Sequence, residues 1–404
     1  MKRLLFITHR LPYPPDKGER LRAFHQIRTL ARHFRVTLAS LTHQPSDPQT
    51  AAPLSQWCEK VLLAPAGGKS GLLRGGLSLL AGRSVTEGFF HCPSLQAAIL
   101  REAVREPFDL AIGYCSSVLP LLLATPCPAR VMDLVDVDSA KWASYAQQAR
   151  GPKRWVFARE ARGVGRLERQ ALERCQAVLL VSPAEEQALN WHRGTVLAVG
   201  NGVDLEYFAP AEPAPANQPA LVFVGTMDYR PNADGACWFA REVWPELKRQ
   251  APELTFSIVG RDPARAVQRL AEIPGIRVTG AVPDVRPFVA QASVAIAPLH
   301  IARGIQNKVL EAMAMGRPVV ASPAALEGLD VQPGSDVLQA DTPAQWRQQI
   351  LQLLSDDRLR AQLGQAARTC VETKYSWAAR MEPLVSLCRR LCNESGVLPE
   401  GAQR

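Results

Sequence analysis

The sequence predicts an α/β protein with two doubly wound domains in tandem. Three observations carry this prediction. Short continuous apolar runs alternate with helical patterns, a proline-rich stretch interrupts the alternation near the middle, and the alternation then restarts. The chain has 404 residues, of which 47% are apolar, so each half can bury a core of its own.

The first half has helical patterns at Arg20–His33 and Ser94–Arg105. Between such patterns lie short, continuous apolar runs, which do not alternate with polar residues as a half-exposed strand does. Continuous runs of this kind are typical of a parallel sheet covered on both faces. The predicted strands are Leu4–Thr8, Val36–Leu41, Val61–Leu63, Leu110–Tyr114, Arg130–Leu134, Ala177–Val181 and Thr195–Val199.

The proline-rich stretch predicts a domain boundary, because repeated prolines favour an extended, semi-rigid chain. We therefore predict a first domain over residues 1–208, a linker over 209–219 and a second domain over 220–375. Residues 376–404 carry an amphipathic helix with Ser376 as its N-cap, and this helix could cross back to the first domain.

The second half repeats the alternation of strands and helices. Ligands of such sheets bind at the carboxyl ends of the strands, so two facing domains would form a binding cleft. The predicted strands are Leu221–Val224, Leu254–Val259, Arg277–Thr279, Val294–Ala297 and Pro318–Ala321, and the predicted helices are Ala233–Arg249, Val285–Ala292, Gln306–Ala314 and Pro343–Leu354.

Composition narrows the function classes. No apolar run reaches the length of a membrane-spanning helix, and the run within residues 1–8 is too short for a signal peptide, so we expect a cytoplasmic protein. The nine cysteines include no CxxC pair, which argues against a disulfide framework or a structural zinc site.

Charge is concentrated in the first half. Residues 1–205 hold 26 Lys and Arg against 17 Asp and Glu, a net charge of +9, whereas residues 206–404 hold 21 of each. This asymmetry has two interpretations: attraction of an anionic partner such as a membrane surface, or dispersed surface arginines that keep the protein soluble. The basic first half has no lysine-rich run and no aromatic platform, so we expect no nucleic-acid partner.

Common catalytic motifs are absent from the sequence. There is no GxGxxG, HExxH or GxSxG, which excludes the usual nicotinamide, zinc-hydrolase and serine-hydrolase signatures. Gly68-Lys69-Ser70 resembles the end of a P-loop, but Leu63 stands where that motif needs glycine. Asp136 and Asp138 could hold a divalent metal or could simply line the carboxyl edge of a strand.

One helical pattern combines the residue types of an anion site. Gly304, Lys308 and Glu311 are spaced i, i+4 and i+7, so they share one helix face. A glycine turn at a helix N-terminus presents free N–H groups to a phosphate, Lys308 adds a cation, and Glu311 can accept hydrogen bonds from a diol. The pattern fits a nucleotide diphosphate; the alternative is a local Lys308–Glu311 ion pair.

This stretch resembles the signature of the family 4 glycosyltransferases of the GT-B fold, E-x7-E followed by A-M-A-x-G-x-P-V-V. Glu311 matches the second Glu, which the resemblance assigns to the ribose of the donor nucleotide. Arg303 stands where the family has its first Glu, which holds the donor sugar, and Arg303 could instead bind phosphate or an acidic sugar. The resemblance implies donor contacts at Gly304 and Ile305.

The resemblance extends over the whole chain. Asn201-Gly202-Val203-Asp204 is similar to the end of the family's first domain, and the segment 223–232 is similar to the start of its second, with Gly225 as a donor contact. Thr226 and Asn232 stand near positions where many relatives have diphosphate-binding Arg and Lys. The residues that could substitute for them are Arg230, Arg261 and Lys308, and Gly18 could approach the donor phosphate from the loop 14–19.

The family resemblance implies a retaining glycosyltransferase that uses a nucleotide-diphosphate sugar and needs no metal or other cofactor. The resemblance gives Arg303, Lys308 and Glu311 as the catalytic candidates. The family's usual His has no counterpart in the segment 113–117, so Ser116 and Asp138 are further candidates. The combination of the segments 136–142, 227–232 and 302–314 is further similar to sugar transferases of exosortase (PEP-CTERM) systems, which implies exopolysaccharide synthesis. A nucleotide-sugar epimerase and a non-catalytic nucleotide-sugar-binding protein are the alternatives.

The acceptor is expected against the basic first half of the chain. The segment Gly71–Arg83 is apolar, rich in glycine and flanked by cations, so it could touch a lipid surface or could pack on its own domain. A saccharide or a polyprenyl-linked acceptor, with peripheral contact at the inner face of the cytoplasmic membrane, follows as a hypothesis.

Overall fold

The computed structural model of the protein describes residues 1–15, 18–44, 46–189, 194–210, 218–302 and 305–394, apart from the side chains of residues 18, 19, 69 and 148. It divides into two compact units. Unit 1 comprises Met1–Asn201 together with the chain from Arg380 onward, and unit 2 comprises Gly202–Ala379.

Unit 1 is built around a seven-stranded parallel sheet of order β3-β2-β1-β4-β5-β6-β7. Its strands are β1 Arg3–Thr8, β2 Arg35–Thr42, β3 Lys60–Pro65, β4 Leu110–Tyr114, β5 Ala129–Val135, β6 Ala177–Leu180 and β7 Thr195–Ala198. Its helices are α1 Gly18–Leu30, α2 Asp47–Thr50, α3 Gly68–Leu80, α4 Val85–Phe90, α5 Pro93–Arg105, α6 Leu119–Ala124, α7 Asp138–Gln148, α8 Pro152–Arg174 and α9 Pro183–Leu189, with 3₁₀ turns at Ala52–Gln56 and Ser116–Val118.

Burial explains why the apolar runs in unit 1 form strands. All six residues of β1 are buried, as are all five of β4, so both faces of these central strands lie against packed side chains. Ile7, Ala111 and Met132 from adjacent strands belong to one apolar cluster on one face of the sheet. The predicted parallel sheet is confirmed for this unit.

Unit 2 contains a six-stranded parallel sheet of order β10-β9-β8-β11-β12-β13. Its strands are β8 Ala220–Val224, β9 Thr255–Val259, β10 Ile276–Val278, β11 Val294–Ala297, β12 Val319–Ala321 and β13 Leu338–Gln339. Its helices are α10 Arg230–Glu242, α11 Trp244–Gln250, α12 Arg265–Gln268, α13 Arg286–Gln291, α14 Asn307–Ala314, α15 Pro323–Leu326, α16 Pro343–Ser355 and α17 Asp357–Lys374, with a 3₁₀ turn at Arg269–Glu272.

Unit 2 departs from the sequence prediction in several places. The helix predicted over Ala233–Arg249 is wrong as a single element, because α10 ends at Glu242 and α11 begins at Trp244. Pro245 lacks the N–H that a continuous helix would bond to residue 241, and its ring clashes with that carbonyl. The edge strand β13 and the long helix α17 were not predicted at all.

The final helix, α18, spans Trp377–Glu394 and passes from unit 2 into unit 1. Its predicted cap is confirmed, since the hydroxyl of Ser376 accepts a hydrogen bond from the Ala379 amide at 3.1 Å. Across the described ranges of the chain, every helix is too short or too polar to cross a bilayer.

Candidate functional site

The candidate site in unit 2 lies at the carboxyl ends of three adjacent central strands. In the order β9-β8-β11, the first strand of the unit lies between its second and its fourth strand. The chain therefore adds strands first on one side of β8 and then on the other. Loops that leave the sheet at such a switch point diverge and leave room for a ligand. The loop after β8 leads to α10, and the chain after β11 leads to α14.

Lys308, in the first turn of α14, points its ammonium group at neutral acceptors. Its Nζ donates to Asn232 Oδ1 at 2.9 Å and to Gln306 Oε1 at 3.2 Å. The same nitrogen lies 5.8 Å from the centre of the Phe223 ring. Burial lowers the pKa of Lys308 to about 8, although the nearby Glu311 carboxylate opposes this shift.

Asn232 fixes the position of that ammonium group. Its side chain is 4% exposed, and its Nδ2 donates to the Thr226 carbonyl at 2.9 Å while its Oδ1 accepts from Lys308. Both ends of the amide are therefore committed, one to the loop after β8 and one to α14. Sequence reasoning placed Asn232 near a diphosphate-binding position but did not connect it with Lys308.

Glu311 follows Lys308 on the same face of α14 and is partly buried. Burial raises the pKa of its carboxyl group to about 7, and the Lys308 ammonium works against that rise. Among the residues that the structure describes, no donor is hydrogen-bonded to this carboxylate, and Lys308 forms no salt bridge with it. Among the described residues, the alternative prediction of a local Lys308–Glu311 ion pair is therefore wrong.

The first turn of α14 offers backbone donors beside these side chains. Gln306 is its N-cap, and within the described ranges no side chain caps the helix. An uncapped helix N-terminus keeps N–H groups available and carries a partial positive charge, so it favours an anion.

Backbone crowding explains the glycines at the ends of β8 and β9. A Cβ on Gly225 would lie 2.7 Å from Asn232 Nδ2, and a Cβ on Gly260 would lie 1.7 Å from the Gly225 carbonyl oxygen. Gly260 also has a φ of 151°, which L side chains rarely adopt. A side chain on residue 225 would displace the Asn232 amide that holds Lys308, and one on residue 260 would displace the Gly225 backbone.

The other predicted donor contacts of unit 2 are less enclosed. The Arg230 side chain is 91% exposed and lies 3.3 Å from Asp234, and that of Arg261 is 67% exposed and lies 3.8 Å from Asp262. Ile305 is partly buried and packs against the core of unit 2. Arg303 and Gly304 lie outside the described residues.

In unit 1, the predicted residues Gly18, Ser116 and Asp138 lie on separate elements. Gly18 begins α1, and Ser116 is 4% exposed within a 3₁₀ turn, so its hydroxyl is poorly accessible. Asp138 begins α7 with its carboxylate 3.9 Å from Lys141 Nζ. Burial raises the pKa of Asp138, whereas Lys141 and His9 lower it.

Sequence reasoning missed a second polar group of unit 1, which surrounds Asp133. Arg22 donates from Nε to Asp133 Oδ2 at 3.0 Å, Gln26 donates to the same oxygen at 2.5 Å, and the Val135 amide donates to Oδ1 at 2.9 Å. Val135 and Cys115 both have positive φ, at 70° and 71°. Such strained positions at strand ends are frequent at functional sites, and a lone Asp inside an apolar strand was the available signal.

His9 is the other missed candidate. It follows β1, is 9% exposed, and stacks on Tyr114 with ring centres 6.2 Å apart. His9 follows β1 and Asp138 follows β5, so both stand at the carboxyl edge of the parallel sheet, and His9 lowers the pKa of the Asp138 carboxyl group. In the described part of the chain, no three His, Cys, Asp or Glu side chains gather as a metal-ligand set.

Comparison with known proteins places this geometry in context. Residues 218–356 match the family model described as "Glycosyl transferases group 1", which covers the part of unit 2 that holds Asn232, Lys308 and Glu311. A search of curated proteins found no match.

Solved structures match almost the whole chain. Sucrose-phosphate synthase from Thermosynechococcus elongatus aligns with a TM-score of 0.64 at 19% identity, covering 97% of this chain and 100% of that one. Anabaena HepE in complex with UDP aligns with a TM-score of 0.62 at 16% identity, covering 96% and 100%. A glycosyltransferase from Rickettsia africae aligns with a TM-score of 0.62 at 13% identity, covering 96% and 98%.

These structural matches define the class of fold. The protein has the α/β fold of the GT-B glycosyltransferases, with two Rossmann-like units. Within that fold, the segment similar to glycosyl transferases of group 1 is the one that forms the Lys308–Glu311 site.

Proposed function

We propose that the protein is a glycosyltransferase that moves a sugar from a nucleotide-diphosphate sugar to a saccharide or lipid-linked acceptor. The observation that carries the proposal is the Asn232–Lys308–Glu311 arrangement inside the segment that matches the glycosyl transferases. HepE, which shares the fold, has been solved in complex with UDP and with UDP-glucose.

The donor nucleotide is assigned to the carboxyl edge of the unit 2 sheet. Glu311 accepts hydrogen bonds from the two ribose hydroxyls, since among the described residues its carboxylate has no other hydrogen-bond donor. The diphosphate lies at the N-terminus of α14 beside Lys308, where free N–H groups, the helix dipole and the ammonium group all favour negative charge. Arg303 and Gly304 belong to the same proposed site.

The chemical step we propose retains the configuration at the anomeric carbon. The bond from the anomeric carbon to the leaving phosphate oxygen breaks, and the acceptor hydroxyl forms the new bond on the same face. The acceptor proton passes to the departing phosphate. Such a step needs electrostatic stabilisation of the leaving diphosphate, which Lys308 and the α14 amides supply, and it needs neither a protein nucleophile nor a metal.

The biological setting belongs to the same proposal. The similarity to exosortase-associated transferases favours a role in bacterial exopolysaccharide synthesis, in the cytoplasm or at the inner face of the cytoplasmic membrane. The net charge of +9 over residues 1–205 favours an acceptor or surface that is anionic.

A ligand screen and a product analysis test the proposal together. We expect one UDP-, GDP-, ADP- or dTDP-sugar to raise the melting temperature by mass action, and the same donor to give a product in which sugar is joined to a second molecule. A free epimer as product would show an epimerase instead. Binding without turnover on any saccharide or polyprenyl acceptor would favour a non-catalytic binding protein.

A further inference from the structure

Helix α3 in unit 1 has its apolar side facing outward. Its buried residues are Gly71 and Gly75, whereas four leucines project into solvent. We call these four residues the α3 face: Leu72 at 66% exposure, Leu73 at 67%, Leu77 at 57% and Leu80 at 79%. A surface helix of a globular protein normally buries its leucines and exposes its small residues, so this orientation needs an explanation.

The packing of α3 on α4 shows that the leucines are not needed to hold the helix. A Cβ on Gly75 would lie 3.0 Å from Val85 Cγ1, and a Cβ on Gly71 would lie 3.3 Å from the Phe89 ring. On the other side of the contact, a Cβ on Gly88 would lie 2.5 Å from the Arg74 carbonyl oxygen. The two helices therefore meet through glycines at close range, and the leucines are left for another partner.

Arginines lie at the carboxyl end of α3, and one of them also contacts an exposed tryptophan. Arg159 donates from Nε to the Leu79 carbonyl at 3.1 Å, and Arg166 donates to the Gly82 carbonyl. The Arg83 side chain, just after the helix, is 66% exposed, and its Nη1 lies 3.5 Å from Glu87 Oε1. Trp155 is 53% exposed, and the Arg159 guanidinium lies 5.5 Å from its ring.

We propose that the α3 face with these arginines is a docking surface for an anionic lipid bilayer. The leucines insert among the acyl chains near the headgroups, the arginines contact lipid phosphates, and Trp155 lies at the interface, where its ring is most favourable. Charge complementarity favours an anionic lipid as the partner of this surface. Three arginines lie beside the leucines, and residues 1–205 carry a net charge of +9. Apolar insertion and cationic attraction together supply the two signals that stable peripheral binding needs.

Vesicle sedimentation with the full chain tests this surface without any donor or acceptor, so its outcome is independent of the proposed transfer reaction. We expect binding to vesicles of equal parts phosphatidylcholine and phosphatidylglycerol to be at least about tenfold stronger than to phosphatidylcholine alone at low salt. The preference should weaken as salt is added.

Two double variants, each with a control, distinguish binding through this surface from attraction by the overall charge of the protein. Leu73→Ser with Leu77→Ser should reduce vesicle binding about tenfold, whereas Val104→Ser, at an apolar position of α5 that is 84% exposed, should not. Arg83→Gln with Arg166→Gln should reduce binding to anionic vesicles. Arg101→Gln with Arg105→Gln on α5 removes the same charge elsewhere and should have a much smaller effect.

The opposite outcomes are equally clear. Equal sedimentation with neutral and anionic vesicles, or unchanged binding by the leucine variant, would overturn the proposal. So would light scattering that shows a dimer of the wild type which the leucine variant dissociates, because the α3 face would then be covered by a second copy. A folded far-ultraviolet circular dichroism spectrum and an unchanged melting temperature, expected for such exposed positions, keep each comparison valid.

Discussion

Lys308 Nζ lies 2.9 Å from Asn232 Oδ1, so a lysine in the first turn of α14 is held by a neutral amide from α10. Within the described chain the ammonium group has no carboxylate partner, although Glu311 stands one turn further along the same face. A cation and a carboxylate that are both partly buried and not neutralised by each other are costly in the free protein. A bound nucleotide diphosphate would satisfy both.

Replacing Glu311 by alanine should weaken nucleotide-diphosphate binding by about 1.5–3 kcal/mol, roughly 10- to 150-fold, because hydrogen bonds to a charged group are lost. Calorimetric titration of the nucleotide selected by the ligand screen measures this directly. Glu272→Ala, an exposed carboxylate before β10, is the matched control. Wild-type affinity in the Glu311 variant would contradict the ribose assignment.

Lys308→Ala should lower kcat more than it lowers donor affinity. The reason is that negative charge on the leaving diphosphate grows as the glycosidic bond breaks, so the ammonium group contributes most in the transition state. Steady-state kinetics beside a binding titration separate the two effects. Arg358→Ala removes an exposed cation from α17 and should leave both unchanged. Weaker donor binding with an unchanged kcat after Lys308→Ala would show that Lys308 binds the ground state and the transition state equally, which would contradict this role.

Nucleotide affinity should pass through a maximum between about pH 7 and pH 8. Below a pKa of about 7 the Glu311 carboxyl is protonated and accepts hydrogen bonds poorly, so affinity rises as pH rises through that value. Above a pKa of about 8 Lys308 loses its charge, so affinity falls again. Titrations across this range check both limbs. Glu311→Gln should abolish the acid limb and, because it removes the carboxylate that favours charged Lys308, should move the alkaline limb to lower pH.

Asn232→Asp should move the alkaline limb of that profile upward. A carboxylate 2.9 Å from the ammonium group would favour charged Lys308 and raise its pKa towards that of a free lysine. Asn232→Ala supplies the comparison, since it removes the amide without adding charge. If affinity falls at the same high pH in the aspartate variant as in the wild type, deprotonation of Lys308 does not cause that fall.

Breaking the Arg22–Asp133 pair should strongly destabilise unit 1. Both side chains are almost fully buried, at 1% and 0% exposure, so Arg22→Met leaves an uncompensated charge and should cost about 3–5 kcal/mol in chemical denaturation. Arg249→Met breaks a pair in which the arginine side chain is 71% exposed, and it should have little effect. Equal losses in the two variants would contradict this account of the Asp133 group.

The regular elements were predictable where one physical signal dominated. Strands such as Leu110–Tyr114 are continuous apolar runs because both faces of the sheet are covered, and their limits could be seen in the sequence. The two-residue strand Leu338–Gln339 is too short to give a pattern, and the break before Trp244 depends on a single proline inside a helical pattern.

The candidate site was predictable along α14 but not across elements. The spacing of Lys308 and Glu311 puts them on one helix face, which a sequence shows directly. The contact of Lys308 with Asn232 joins residues 76 positions apart, and only the adjacency of β8 and β11 creates it. The burial that shifts both pKa values also depends on neighbours from several elements, as does the outward orientation of the α3 leucines.

A crystal structure of the protein with the nucleotide diphosphate identified by the ligand screen tests the central claim most directly. We predict that both ribose hydroxyls lie within hydrogen-bond distance of the Glu311 carboxylate, with the diphosphate against the first turn of α14 and Lys308 Nζ. A nucleotide bound elsewhere in the protein, with Glu311 and Lys308 making no contact to it, would contradict the account.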